Sequence, residues 1–282
     1  MGFRIITDSA SDMPQETAEK LGVTVMPIHT RFGEEEFLDG VTLKPADFFK
    51  KLVETKEIPR TSQITPFEFG REFQKWLSAG QGVLCITMSS GVSGTYQSAC
   101  SAAEDLDGDI IVIDSRQFCI SLYVLIEYAC RCRNQGMSLQ ETAEAVRSVM
   151  KRVHVASVFD TLEYLKLGGR LSSSAALAGS LLSIKPVITI NEGIVEVISR
   201  ARGGRKAHQM LVDFIRRTGG IDDTMPSCLG FTGFSDKTLT EYIDNYAGEF
   251  KDRLSKLAVV PVGATVGTYA GPGAVAIAFF NK

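Results

Sequence analysis

The sequence lacks the features that mark membrane, secreted and nucleic-acid-binding proteins. No apolar run approaches the roughly 18 residues of a membrane helix. Asp8 interrupts the apolar stretch that a signal peptide would need. The formal net charge of -3 provides no overall basic field for nucleic acid. We therefore expect a cytoplasmic protein with no integral membrane association and no nucleic-acid partner.

The chain also lacks the residue patterns of metal and disulfide sites. Its cysteines include no Cys-x-x-Cys pair, and His29, His154 and His208 show no metal-ligand spacing. Cysteines in apolar or helical segments are usually buried free thiols. We expect no metal and no cofactor, with free thiols at Cys85, Cys100, Cys119, Cys130, Cys132 and Cys228.

The serine-rich stretch 89–95 lacks the residues of a known catalytic loop. No Gly-Lys-Ser/Thr ends it, as a P-loop requires, and Thr95 replaces the second glycine of a nucleophile elbow. No histidine is paired with a serine as an activating base, which argues against a hydrolase. The stretch opens a predicted helix, where backbone N–H groups and the hydroxyls of Ser93 and Thr95 can bind an anion. A capped strand–helix turn explains the same residues equally well.

In the first half of the chain, apolar β-rich runs alternate with helical patterns. This alternation predicts an α/β fold with a mostly parallel sheet flanked by helices. Residues 23–32 are interpreted as one strand, and Asp12 as the N-cap of a helix ending near residue 21. Capping-box patterns predict two further helix starts, at Thr65 with Glu68 and at Ser138 with Glu141.

The pattern changes near residue 155. Asn191-Glu192-Gly193 indicates a hairpin between antiparallel strands, and helical patterns at 206–217 and 238–250 are separated by another strand. A mixed sheet is therefore expected in the second half. We predict two closely packed α/β domains, at residues 1–155 and 156–282.

Several polar segments are candidates for a site. Asp8, with Ser9 and Ser11, follows the first strand, where open α/β sheets bind ligands. Asp8 is a candidate base or metal ligand, although a hydrogen-bonded turn aspartate is the more common interpretation. Residues 60–63 form a polar turn before a helix, and 267–273 form a glycine-rich loop in which Tyr269 offers a hydroxyl.

Two groups of arginines lie in or beside predicted turns. Gly168-Gly169 would display Arg170 at a loop, where a guanidinium can bind carboxylate or phosphate. Arg200, Arg202 and Arg205 follow the predicted hairpin. A solvated charged surface is the alternative interpretation of both.

Taken together, these segments resemble the DegV family over nearly the whole chain. Each motif is weak alone, but their order and spacing are specific. The resemblance rests on ITDSASDMP (6–14), TSQ (61–63), MSSGVSGTYQSA (88–99), FDTLEYLKLGGRLS (159–172), IKPVITINEG (184–193) and GPG (271–273).

The resemblance implies a long-chain fatty acid in a buried tunnel, for lipid transport, and no enzymatic activity. In the family, the TSQ threonine and a serine of the SSGxSGT loop bind the carboxylate. They match Thr61 and Ser93 here, with Ser62 and Gly94 as adjacent candidates. The family often has histidine before the GPG turn, and it also contacts the carboxylate. Here Tyr269 takes that place and can donate a hydrogen bond.

The resemblance also implies a protein partner. Loaded relatives present the fatty acid to a kinase, and the family's docking arginines match Arg170 and Arg202. Candidate tunnel residues are Ile64, Phe67 and Leu167, although each also fits an ordinary core. The alternative function is an enzyme acting on a small phosphorylated or acylated substrate at the same anion loop, with Asp8 as its base.

Overall fold

The structure is a computed structural model that describes residues 2–171, 184–246 and 251–282. Its strands are β1 (Phe3–Asp8), β2 (Val23–Met26), β3 (His29–Phe32), β4 (Glu35–Leu38), β5 (Arg60–Ser62), β6 (Gly82–Thr87), β7 (Ile110–Asp114), β8 (Val153–Val158), β9 (Ile184–Asn191), β10 (Ile194–Arg202), β11 (Cys228–Phe231), β12 (Ala258–Pro261) and β13 (Val275–Phe280). Its α-helices are α1 (Gln15–Leu21), α2 (Pro45–Thr55), α3 (Pro66–Ser78), α4 (Thr95–Glu104), α5 (Ile120–Asn134), α6 (Leu139–Val149), α7 (Glu163–Leu167), α8 (Gly204–Arg217), α9 (Lys237–Tyr246), α10 (Lys251–Leu254) and α11 (Ala264–Ala270).

The first half of the chain contains a four-stranded parallel sheet with the strand order β2-β1-β6-β7. Ile5, Leu84 and Ile86 on its inner strands are fully buried, as expected for strands covered on both faces. Helices α3 and α4 pack on each other and on β6, and α6 also contacts this sheet. The predicted parallel sheet with flanking helices is confirmed.

A small antiparallel sheet, β4-β3-β5, was not predicted. Residues 23–32, interpreted as one strand, form β2 and β3 in two different sheets. Pro27 lies between them, and proline has no N–H to continue a ladder. Residues 60–62, interpreted as a turn, form β5, which pairs Thr61 with Thr30 of β3.

The second half forms a six-stranded mixed sheet in the order β10-β9-β8-β13-β11-β12. Its pairs are antiparallel except for β11 with β12. Glu192 and Gly193 turn the predicted β9–β10 hairpin with positive φ. The mixed sheet and the hairpin are therefore confirmed. The first strand of this sheet, β8, spans the predicted boundary at residue 155, and the division into two domains stays a prediction.

Helix α5 joins the two large sheets. It contacts β1 of the parallel sheet and β8, β11 and β13 of the mixed sheet. Most of its residues from Ile120 to Cys132 are buried, as expected for a helix enclosed on all sides. The largest core cluster accordingly includes Ile5 and Leu84 from the first half and Ala278 and Phe280 from the second.

Both capping boxes are confirmed, at Thr65 with Glu68 and at Ser138 with Glu141. The N-cap prediction for Asp12 is wrong, because α1 begins at Gln15. Residues 267–270, predicted as part of a loop, form the end of α11. Ser172 of the FDTLEYLKLGGRLS motif and residues 247–250 of the predicted helix 238–250 lie outside the described residues.

Buried aspartates from the first half anchor the start of α11. Asp39 Oδ1 accepts a hydrogen bond from Ala264 N at 2.8 Å. Its Oδ2 accepts from Thr265 N at 3.1 Å and from Thr265 Oγ1 at 2.5 Å. Asp12 Oδ1 accepts from Gly263 N at 2.8 Å. These bonds satisfy amide groups that a helix amino terminus leaves without intrahelical partners.

Replacing Asp39 tests this anchor. Asp39→Ala leaves the buried amides of Ala264 and Thr265 unsatisfied, so we expect the free energy of unfolding to fall by about 2 kcal/mol or more in urea titrations. Asp47→Ala, in the exposed first turn of α2, is the control and should cost at most about 0.5 kcal/mol. Equal losses in the two variants would contradict the anchoring role.

Candidate functional site

A cavity of about 320 Å³ lies between the first and second halves of the chain. It is within the size range of pockets that bind small molecules. Every residue predicted to bind the carboxylate lines it, together with one of the predicted docking arginines. The lining residues are Ile28, Thr61, Ser62, Gln63, Met88, Val92, Ser93, Gly94, Phe118, Leu165, Arg170, Val195, Thr265, Val266 and Tyr269.

The polar end of the cavity joins β5 to α11. Thr61 Oγ1 and Tyr269 Oη lie 2.7 Å apart in a hydrogen bond that either can donate. The Tyr269 ring packs directly on the backbone of Gly168, where a Cβ atom would overlap it. The first glycine of the Gly-Gly-Arg motif is therefore needed for close approach rather than for a turn.

Arg170 covers the same tyrosine. Its Cζ atom is 5.0 Å from the centroid of the Tyr269 ring, within cation–π range. Its Nη1 donates a 2.8 Å hydrogen bond to Gly168 O. Among the described residues that line the cavity, Arg170 alone carries a charged side chain. An anionic group at this end would thus meet hydroxyl groups and one guanidinium.

The loop after β6 supplies the second polar wall. Ser93 Oγ lies 2.9 Å from Thr95 Oγ1 and accepts a 3.2 Å hydrogen bond from Thr95 N. A Cβ atom on Gly94 would overlap the side chain of Gln63, which donates a 2.9 Å hydrogen bond to Ser98 Oγ. The TSQ segment and the serine-rich loop are therefore packed against each other, and a side chain on Gly94 would displace the Gln63 amide from its present position.

The rest of the wall is apolar, and sequence reasoning missed it. Its side chains come from both halves: Ile28, Met88, Val92, Phe118, Leu165, Val195 and Val266. None of the candidate tunnel residues lines the cavity. Ile64 is in the core with 1% exposure, whereas Phe67 and Leu167 are 72% and 59% exposed. Apolar wall residues give no sequence signal of their own, because core residues have the same composition.

Asp8, the base of the alternative enzyme, does not line this cavity. The residue is fully buried. Its Oδ2 accepts from Met88 N at 2.7 Å and its Oδ1 from Ala10 N at 3.1 Å. Burial raises the pKa of Asp8 to about 7, although these amide hydrogen bonds oppose the rise. Asp8 therefore connects the end of β1 to the loop after β6 and does not face a substrate.

Other predicted polar residues also lie away from the cavity. His29 bonds Glu36 and Glu68, and His154 and His208 pack against aromatic rings. Arg202 is exposed at the end of β10 and is not part of the lining. Within residues 2–171, 184–246 and 251–282, no group of three or more His, Cys, Asp or Glu side chains could hold a metal ion.

A second cavity, of about 440 Å³, differs in chemistry. Its walls include the charged side chains of Arg4, Asp12, Glu19, Asp39 and Lys44. No residue predicted to bind a carboxylate lines it. The 320 Å³ cavity, with its apolar wall and hydroxyl-lined end, is thus the better site for a mostly apolar ligand with one polar group.

The fold and this cavity define an α/β protein with an apolar-walled cavity that has a hydroxyl-lined end. A family model described as "Uncharacterised protein, DegV family" matches residues 2–282. A DegV domain-containing protein of Caldanaerobacter subterraneus is 34% identical over 281 residues, which cover 99% of this chain and 98% of the relative. This chain belongs to the DegV family, and the resemblance noted in its motifs is confirmed.

Two solved structures have the same fold and similar sequences. A DegV family protein from Thermus thermophilus, described by its fatty acid binding, has a TM-score of 0.89 and 28% identity, with 100% of both chains covered. DegV from Bacillus subtilis, described as a fatty acid binding protein, has a TM-score of 0.85 and 25% identity, again with 100% of both chains covered. The predicted fold class is therefore confirmed. In the described part of this chain, no helix is long and apolar enough to span a membrane.

The buried carboxyl of Asp8 predicts a pH dependence of stability. Its pKa is raised to about 7 in the folded state, so the folded protein holds the proton more tightly than the unfolded chain. The stabilisation that comes from the proton on Asp8 is therefore fully present below about pH 4 and is lost as pH rises through about 7. We expect the free energy of unfolding of the wild type to fall relative to that of Asp8→Asn between pH 4 and 8.

Urea titrations of both proteins at each pH measure this difference. Asp107→Asn, in an exposed turn, controls for the loss of an aspartate. If the free energy of unfolding of the wild type instead rose relative to that of Asp8→Asn with increasing pH, the amide hydrogen bonds would outweigh burial, and the raised pKa would be contradicted.

Proposed function

We propose that this protein binds one long-chain fatty acid in the 320 Å³ cavity, with the carboxylate at the end formed by Thr61, Ser93 and Tyr269. Ser62 and Gly94 border the same end. The observation on which the proposal depends is that one cavity unites these separate segments with an apolar wall. The fatty acid binding described for the Thermus thermophilus and Bacillus subtilis relatives supports it.

The free energies favour such a ligand. Burying one methylene contributes about 0.8 kcal/mol, so a chain of about 16 carbons gains roughly 11 kcal/mol before the costs of ordering. A carboxylate loses hydration in the cavity and needs hydrogen-bond donors. Thr61, Ser93 and Tyr269 offer hydroxyl donors, and Arg170 offers the positive charge.

We further propose that the protein is a carrier rather than an enzyme. The alternative enzyme requires a base at the anion loop, but Asp8 does not line the cavity and both of its oxygens accept hydrogen bonds from backbone amides. The ligand would then leave unchanged, for transport or for use by a second protein. A cytoplasmic location fits the six free cysteines, since cytosolic thiols are kept reduced.

The second protein in this proposal is a fatty-acid kinase that docks on Arg170 and Arg202. Both arginines are exposed. Arg202 is outside the cavity lining, which leaves it available to a partner, whereas Arg170 stands at the cavity itself. Arg170 would thus contact both the ligand and the kinase, and Arg202 the kinase alone.

Removing two hydroxyls tests the carboxylate site. For Thr61→Ala with Ser93→Ala, we expect affinity for palmitate to fall about a hundredfold, because two hydrogen bonds to a charged group are lost. Affinity is measured by titration of delipidated protein, and bound lipid by mass spectrometry after denaturation. Ser78→Ala with Ser148→Ala, which removes two exposed helix hydroxyls, is the matched control. Unchanged affinity and lipid occupancy in the site variant would contradict the proposed site.

Reversing one charge tests the docking surface. Arg202→Glu should leave palmitate affinity unchanged, because Arg202 does not line the cavity. It should lower the rate of acyl-phosphate formation by a purified fatty-acid kinase at least tenfold, through repulsion and lost ion pairs. Lys50→Glu, on the exposed side of α2, controls for net charge. If Arg202→Glu and Lys50→Glu gave the same rate, Arg202 would have no docking role.

A further inference from the structure

The charged cavity of about 440 Å³ is not used by the proposed function. It lies between β2, α1 and the segment that leads from β4 into α2. Its volume is within the range of sites that bind small molecules. Apolar side chains form much of its wall and could surround the body of a ligand. They are Met13, Pro14, Ala18, Val23, Val25, Val41, Pro45 and Pro261.

Two buried carboxyl groups belong to the same wall. Asp12 and Asp39 line the cavity and are 7% and 3% exposed. A Cβ atom on Gly263, which also lines the cavity, would lie 2.8 Å from Asp39 Oδ1 and 3.4 Å from Asp12 Oδ1. The two carboxyl groups therefore converge on the space beside this glycine.

The positive side chains of the cavity are less buried than these carboxyl groups. Lys44 is exposed, and its Nζ donates a 2.5 Å hydrogen bond to a backbone carbonyl. Arg4 is half-buried, and its Nε donates a 2.9 Å hydrogen bond to Thr24 Oγ1. The third acidic residue, Glu19, is also exposed. The buried charged groups of the wall are thus acidic, and the interior of the cavity favours a positive charge.

One acceptor of the buried pair is unused. Asp39 accepts with both oxygens, from the amides of Ala264 and Thr265 and from the Thr265 hydroxyl. Asp12 Oδ1 accepts from Gly263 N at 2.8 Å, but the buried Asp12 Oδ2 has no hydrogen-bond partner among the described residues. A buried carboxyl oxygen without a donor is costly, so a ligand that supplies a donor gains free energy at Asp12.

The pKa values of both carboxyl groups reflect their lack of a positive partner. Burial raises the pKa of Asp12 well above its usual range, and the carboxyl groups of Asp39 and Asp8 raise it further, although the Gly263 amide and the Cys119 thiol oppose the rise. Burial also raises the pKa of Asp39. A cation in the cavity would stabilise the ionised form of both groups.

We propose that this cavity is a second binding site, for a small aliphatic ammonium ion whose nitrogen donates to Asp12 and whose alkyl body lies against the apolar wall. The site is separate from that of the fatty acid, because no described residue lines both cavities. An organic cation fits better than a metal ion. The described ranges contain no group of three or more His, Cys, Asp or Glu side chains that could hold a metal, and an alkyl body makes use of the apolar wall.

Titration with butylammonium tests the proposal. Calorimetry on the full-length protein at pH 7.5 should show saturable binding of one ion, and the amide NMR signals of Gly263 and Val25 should shift. Butan-1-ol and butyrate have the same alkyl chain but are neutral and anionic. We expect both to bind at least tenfold more weakly, because a hydrogen bond between charged groups is about twice as strong as one between neutral groups.

Variants locate the bound ion. Asp12→Asn keeps an acceptor for the Gly263 amide but removes the charge, and should lower butylammonium affinity at least tenfold. Asp47→Asn, in the exposed first turn of α2, is its control. Val41→Arg adds a positive charge at a wall position that is 54% exposed, so folding is not at risk, and should also weaken binding. Val53→Arg, 44% exposed on α2 and outside the cavity lining, should bind as the wild type does.

The outcomes separate this site from the fatty-acid site. No binding of butylammonium, or equal binding of butan-1-ol, would overturn the ammonium site and leave fatty-acid binding intact. Equal affinities in Val41→Arg and Val53→Arg would overturn its location in the charged cavity. Thr61→Ala with Ser93→Ala should retain butylammonium affinity, and its loss there would place the ion in the 320 Å³ cavity and contradict the proposal.

Discussion

The site depends on carboxylates that the first half of the chain places against the start of α11. Asp39 and Asp12 accept hydrogen bonds from three consecutive amides, at residues 263–265. Such buried carboxylates are costly without donors, and helix-start amides are costly without acceptors, so each group satisfies the other. Because α11 carries both Val266 and Tyr269, this contact fixes the apolar and the polar parts of the cavity with respect to the first half.

The cavity is consequently a product of long-range packing. Thr61 reaches it through β5, a short edge strand on β3, and Ser93 through the loop between β6 and α4. Tyr269 and Arg170 come from the second half. The Tyr269 ring packs on Gly168 and also contacts the Arg170 guanidinium. Helix α5, enclosed between the two large sheets, packs against strands of both and so joins the two halves that contribute these segments.

The sequence predicted the chemistry of the site better than its shape. Thr61, Ser93 and Tyr269 could be named because the ordered motifs resemble those of the DegV family and match its carboxylate-binding positions, and the cavity does unite them. The helical conformation of residues 267–270 and the strand at Thr61 could not be predicted. Glycine and a polar run favour loops locally, and only tertiary contacts override that preference.

The apolar wall was beyond prediction for a different reason. Its residues, such as Val195, Leu165 and Val266, are of the same types as ordinary core residues. They differ only in that the packing leaves space beside them. Phe67 shows the opposite error: it resembles a wall residue but is exposed at the first turn of α3. Periodicity indicates which side of an element is apolar, and it does not indicate where the packing leaves a void.

The most direct measurement is a crystal structure of the protein saturated with palmitate. The account predicts one acyl chain in the 320 Å³ cavity, with its carboxylate within hydrogen-bond distance of Thr61 and Tyr269 and its chain against the apolar wall. A chain bound instead in the charged cavity beside Asp12 and Lys44, or one whose carboxylate lies away from both Thr61 and Tyr269, would contradict it.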